Sequence, residues 1–317
     1  MPGAPPFFVL LSALAVSLGI FVPLTGVLVR FRANYNPKGL QLDSEGGATP
    51  HTGPVIKSYF AMFSRVRRLE GWSGLYKGLM PTAISTLFVS IIILLFVDTN
   101  QPRHGRYRAP EVGIIGTLLY SVGMLVISLP TAIITYRAIT TPHKLPYFNL
   151  SAALQVLLTP TERKRPWILY MTPGLLAAEL LHICLVVLFL GPIRRLLVPE
   201  LSDPTSSPKS VSAFKLFVYM IFVCLTVVAL APLEVIATRL AIQRNHSSTG
   251  QDVEDNSIEE QFEYSSPDED VIGLRHEGDP YIGLTDCAKR IIDEEGLTTL
   301  YRAWWITLLG GLGSTFA

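Results

Sequence analysis

Long apolar runs alternate with short polar connections along most of the chain. Five runs come close to or exceed the roughly 20 residues that a helix needs to cross the hydrocarbon of a bilayer: 7–29, 79–97, 112–136, 168–193 and 214–238. A sixth, 304–317, is shorter. Backbone polar groups in lipid must be satisfied inside each segment, so these runs predict helices and not open strands. Pro23, Pro130 and Pro232 fall near the ends of three of them and predict kinks there. Between the runs the period changes. Val55, Ile56, Tyr59, Phe63 and Val66 recur at helical spacing ahead of Arg65, Arg67 and Arg68, with Gly71 placed to end the helix. Leu284, Ala288 and Ile291 repeat that pattern, and a weaker copy at 152–158 is interrupted by Pro160 and Pro166. The expected fold is an all-α membrane protein with six spans and short helices on the membrane surface.

Composition agrees. Of 317 residues, 49% are hydrophobic and only 16% charged, and the mean hydropathy of +0.39 is too high for an ordinary soluble protein. The net charge of +1 hides a split, with basic residues beside apolar runs and acids gathered between Gln251 and Asp279. Nothing points to nucleic acid binding or to a cofactor. Cys184, Cys224 and Cys287 have no metal-ligand spacing and predict neither a disulfide framework nor a metal site. No charge precedes Arg30, so the first run is expected to be kept as a membrane helix and not removed as a presequence. No nucleophile-elbow string, phosphate-binding loop or HExxH occurs, and an enzyme is not expected.

Three strings repeat in register. Pro23-Leu-Thr-Gly-Val-Leu-Val-Arg30, Pro130-Thr-Ala-Ile-Ile-Thr-Tyr-Arg137 and Pro232-Leu-Glu-Val-Ile-Ala-Thr-Arg239 each place an arginine seven positions after a proline near the end of an apolar run. Each is followed by an aromatic step into the next run: Glu70-Gly-Trp-Ser-Gly-Leu-Tyr76-Lys-Gly78, Trp167-Ile-Leu-Tyr170 and Glu295-Gly-Leu-Thr-Thr-Leu-Tyr301-Arg302. A repeat of about 100 residues is implied, dividing the chain into 1–100, 101–200 and 201–317, the last with an acidic insertion at about 246–280.

These strings resemble the signature of the mitochondrial carrier family. The resemblance implies three two-helix repeats around a central cavity, both termini cytosolic and the surface helices on the matrix side. The arginines and lysines between Arg30 and Lys77 agree with that orientation, although Arg103, Arg106 and Arg108 lie on the other side. The family closes its matrix side with acids and bases of the proline motif, but here the acid positions hold Thr25, Ala132 and Glu234 and the base positions Leu28, Thr135 and Ala237. The usual ionic ring is therefore not expected. Arg30, Arg137 and Arg239 are retained, and near helix ends arginines commonly snorkel or meet terminal carbonyls.

On the cytosolic side the resemblance places Asp98 and Arg195 in a second network. Family substrate contacts map onto Ser85, onto Glu179 and Leu180, and onto Gly310. His182, one turn beyond Glu179, shares its helix face. This set carries one acid and no base, which disfavours an anionic nucleotide. Tyr76, Lys77, Gly78, Tyr301 and Arg302 would by resemblance seat lipid headgroups such as cardiolipin. The acidic insertion, with Glu259-Glu260 and Asp268-Glu269-Asp270, is expected to be a solvated loop that can meet a protein partner. A solute carrier of the inner mitochondrial membrane working by alternating access is the first expectation. The alternative is a non-transporting relative in the outer membrane, acting as a scaffold in fusion or protein insertion.

Overall fold

The computed structural model describes residues 6–38, 40–42, 48–50, 54–96, 113–146, 149–199, 212–245, 263–265 and 269–316. Their regular structure is helical except for one small hairpin, in which β1 (Leu40–Leu42) pairs antiparallel with β2 (Ala48–Pro50). The long helices are α1 (Pro6–Ala33), α4 (Leu79–Phe96), α5 (Ile114–Thr140), α8 (Leu175–Leu197) and α9 (Ala213–Ile242). Between them lie α2 (Tyr59–Leu69), α3 (Gly71–Leu75), α6 (Leu150–Leu157), α7 (Pro160–Lys164) and α10 (Leu284–Glu294), and α11 (Trp304–Phe316) ends the chain.

Among the described residues, four helices are long and apolar enough to cross a membrane: Ser12–Ala33 of α1, then α5, α8 and α9. Much of their surface is apolar and open, with Ile20, Phe21, Ile115, Leu119, Phe214 and Phe217 all exposed. Such a surface belongs in hydrocarbon and not in water. The 13-residue α11 would rise only about 20 Å. Helical structure runs through Pro23, Pro130 and Pro232.

The fourth span differs from its expected bounds of 168–193. Residues Pro166–Met171 form a 3-10 turn, and α8 starts only at Leu175. The cause is local: a proline at 173 steers Thr172 away from helical geometry, and Gly174 takes a left-handed φ of 79°. Further along, Leu185–Leu190 is wound as a π-helix before α-helical structure resumes at Gly191.

The surface helices form where periodicity placed them. Ser58 caps α2 by accepting from the Ala61 amide, Tyr59, Met62 and Val66 are buried, and Gly71 at φ 70° follows its end. The weak middle copy resolves into α6 and α7. Thr159 and Glu162 form a reciprocal capping box at the start of α7, with Pro160 at its first position.

The chain packs as two compact units. One comprises Met1–Ser90, Pro130–Thr172 and Ala241–Pro280, the other Ile91–Leu129, Pro173–Leu240 and Tyr281–Ala317. In the first unit α1 packs on α2 and α3 over Val22, Val27, Met62, Val66 and Leu75, while the Tyr59 and Tyr76 hydroxyls donate to the Leu24 and Gly19 carbonyls. In the second, Leu190, Val198, Tyr219 and Val223 form a core that Leu308 and Leu312 of α11 cover.

The acidic insertion departs from expectation. Glu259, Glu260 and Asp268 lie outside the described residues, but residues 269–275 are packed on the first unit, with Val271 and Ile272 buried.

Candidate functional site

Each retained arginine is buried, and each meets a buried glutamate from the segment that follows its helix. On α1, Arg30 donates from Nη2 to Glu70 Oε2 at 2.5 Å, from Nε to the Ile139 carbonyl at 2.9 Å and from Nη1 to the Gly74 carbonyl at 3.0 Å. Lys77 Nζ reaches the other oxygen of Glu70 at 2.5 Å and the Thr141 carbonyl at 2.8 Å. Gly74 is required by space, because a Cβ there would lie 2.2 Å from the Cβ of Glu70. Burial pulls the Lys77 ammonium down to about 8, the nearby Arg30 charge adds to that, and Glu70 opposes it.

On α5, Arg137 grips Glu162 with both terminal nitrogens at 2.6 and 2.9 Å and also donates to the Leu157 and Gln243 carbonyls. Glu162 additionally accepts from the Thr159 amide and from the backbone and side-chain nitrogens of Asn245. Burial alone would raise its carboxyl, but Arg137 and these amides together hold it below the usual range. On α9, Arg239 contacts both oxygens of Glu295, and Arg302 approaches Oε2 at 3.3 Å. Burial draws Arg302 down to about 10, with Glu295 opposing and Arg239 reinforcing the shift.

The sequence reading names Glu70 and Glu295 only as parts of the repeated strings and passes over Glu162, so the pairing of all three with the arginines is unforeseen there. Two carried a signal, since Glu70 and Glu295 each precede a glycine, and the third could have been found from the capping spacing Thr159-x-x-Glu162. Arg30 and Arg137 reach carbonyls as expected for helix ends, but the arginines do not snorkel: all three are buried.

The expected substrate contacts are placed as follows. Ser85, half-buried on α4, shares a 3.0 Å hydrogen bond with the Thr131 hydroxyl of α5. Glu179, Leu180 and His182 are half-buried on α8. Glu234 of α9 accepts a hydrogen bond from the Thr307 hydroxyl. Gly310 is exposed. Of the second network, Asp98 lies outside the described residues, and Arg195 is exposed near the end of α8. Tyr301 donates to the Val228 carbonyl. Lys77 and Gly78 line a cavity of about 290 Å³ with Ala138 of α5 and Leu150, Ala153 and Leu154 of α6.

Residues 215–317, which contain the third proline string and its arginine–glutamate pair, match the family model described as mitochondrial carrier protein. Over those residues the chain is similar to the mitochondrial carrier family. The match covers its last third, and no curated protein matches the chain significantly. That similarity and the long apolar helices point to a membrane protein of carrier type.

Proposed function

We propose that this chain is a solute carrier of the inner mitochondrial membrane, built from repeats 1–100, 101–200 and 201–317 and moving a small molecule by alternating access. The observation that carries this is the recurrence of one buried pair, Arg30–Glu70, Arg137–Glu162 and Arg239–Glu295, each tying the end of a proline-bearing helix to the segment after it. A pair repeated three times supports three equivalent two-helix units, with α4 and α11 supplying the spans beyond the four long apolar helices. The apolar cavity beside Lys77 and Gly78 fits lipid acyl chains below an anionic headgroup, which is the place the family resemblance gives to cardiolipin.

Glu179 is the best candidate for solute or proton recognition. A carboxylate within a membrane span is expensive and is kept where it has a partner or a water-filled cavity. The test is uptake by reconstituted protein, screened with radiolabelled amines, amino acids and carboxylates, comparing the parent with Glu179→Gln. Uptake lost at unchanged thermal stability supports recognition by Glu179. If uptake persists and stability falls, the residue is structural. If the parent takes up none of the panel, the non-transporting scaffold becomes the better account.

A further inference from the structure

The acidic insertion ties together the ends of three elements in the first unit. Beside α1, the Tyr35 amide donates to the Gly273 carbonyl at 2.8 Å, and the Gly273 amide returns a bond to Asn34 Oδ1 at 3.0 Å. On α2, Arg65 donates from Nε to the Val271 carbonyl at 2.9 Å and from Nη2 to the Asp270 carbonyl and the Glu269 carboxylate at 2.8 and 2.7 Å. Beyond α5, the Ser265 amide donates to the Pro142 carbonyl and the Lys144 amide to the Glu263 carbonyl, both at 2.8 Å. Lys144 Nζ also meets the Glu263 carboxylate at 2.6 Å.

Two further observations show that this contact is built and not incidental. Residues 269–272 roof a cavity of about 250 Å³ whose other walls include Arg30, Glu70, Thr140 and Thr141, and Val271 and Ile272 are buried over it. The close approach at Gly273 also admits no side chain, since a Cβ would stand 2.9 Å from the Tyr35 carbonyl oxygen.

We propose that residues 263–265 and 269–275 form a latch that holds the ends of α1, α2 and α5 together and covers the cavity between them. The latch would do the work of an ionic gate whose six positions carry a single charge here, Glu234, beside Thr25, Ala132, Leu28, Thr135 and Ala237. Its hold is partly electrostatic, since Glu269 is exposed and faces both Arg65 and Arg68. Salt should therefore loosen it. The latch itself follows from the contacts alone, whereas its service as a gate rests on the transporter proposal.

Thr141 is buried in the cavity wall, so Thr141→Cys reports whether the roof opens. The full-length protein in detergent is labelled with a charged maleimide, and the labelling of the native cysteines, measured in the parent, is subtracted. Labelling of Thr141→Cys should be slow in the intact chain and at least tenfold faster when Arg65→Gln or Gly273→Val is added. Raising potassium chloride from 50 mM to 1 M should accelerate it without any change at the latch. Rates within threefold of the intact chain under all three perturbations overturn the latch. A variant that no longer elutes as a single species is set aside, and the salt series alone then decides. Solute uptake measured in parallel separates the two proposals: faster labelling without uptake in any variant sustains the latch and removes the transporter.

Discussion

Arg30 and Arg137 occupy corresponding places after their prolines, yet their carboxylate partners are solvated in different ways. Glu70 lies 40 positions beyond Arg30 and is shared between two cations, Arg30 and Lys77. Glu162 lies only 25 positions beyond Arg137, meets that single cation, and fills its remaining acceptor sites with the Thr159 amide and two nitrogens of Asn245. A buried carboxylate needs its charge answered and its lone pairs filled. The first cluster satisfies both with charge, and the second satisfies the charge once and uses neutral amides for the rest. What stays constant is the arginine and the buried acid, and the supporting donors are free to change.

That contrast sets an order of expected losses. Glu70→Gln leaves two buried cations facing a neutral amide and should have the largest effect, about 5 kcal/mol. Glu162→Gln strands one cation and keeps part of its hydrogen bonding, so about 3 kcal/mol is expected. Thermal unfolding in detergent ranks the two, and a larger loss for Glu162→Gln would break the comparison. The next test concerns pH. Lys77 titrates at about 8 in the folded protein against 10.5 when unperturbed. Between those values the unfolded chain binds more protons, so the stability of the parent relative to Lys77→Met should rise with pH from about 8 to 10.5 and stay flat below it. A difference that stays flat across this window and falls only above 10.5 would show that Glu70 outweighs burial. The smallest effect is expected for Asn245→Ala, about 1 kcal/mol through lost neutral donors. Because Glu70 has no bond to Asn245, combining this change with Glu70→Gln should be additive.

The long helices were legible because their apolar runs approach or exceed the length of a span. The surface helices were legible because their period shifts to that of an amphipathic helix. The start of α8 was not, since hydropathy carries on through Trp167, Ile168 and Leu169 while the geometry of Thr172 and Gly174 breaks the helix there. The arginine–glutamate pairs join positions 25 to 56 residues apart, and no periodic signal spans such distances. The insertion misled for a different reason. Its acids suggested a solvated loop, whereas two apolar residues, Val271 and Ile272, and one glycine decide where it packs.

The π-helical stretch at Leu185–Leu190 bears on how this chain can be altered. Such a stretch accommodates one surplus residue within an otherwise α-helical rod. Deleting a single residue there should let the rod wind uniformly with little turn between its two halves, whereas a deletion in regular α-helix turns everything before it by roughly 100° against everything after it. Glu179 and Arg194 would then keep their relative azimuth. A one-codon deletion at Val187 is therefore a shortening of the rod that leaves the facing of its two halves intact.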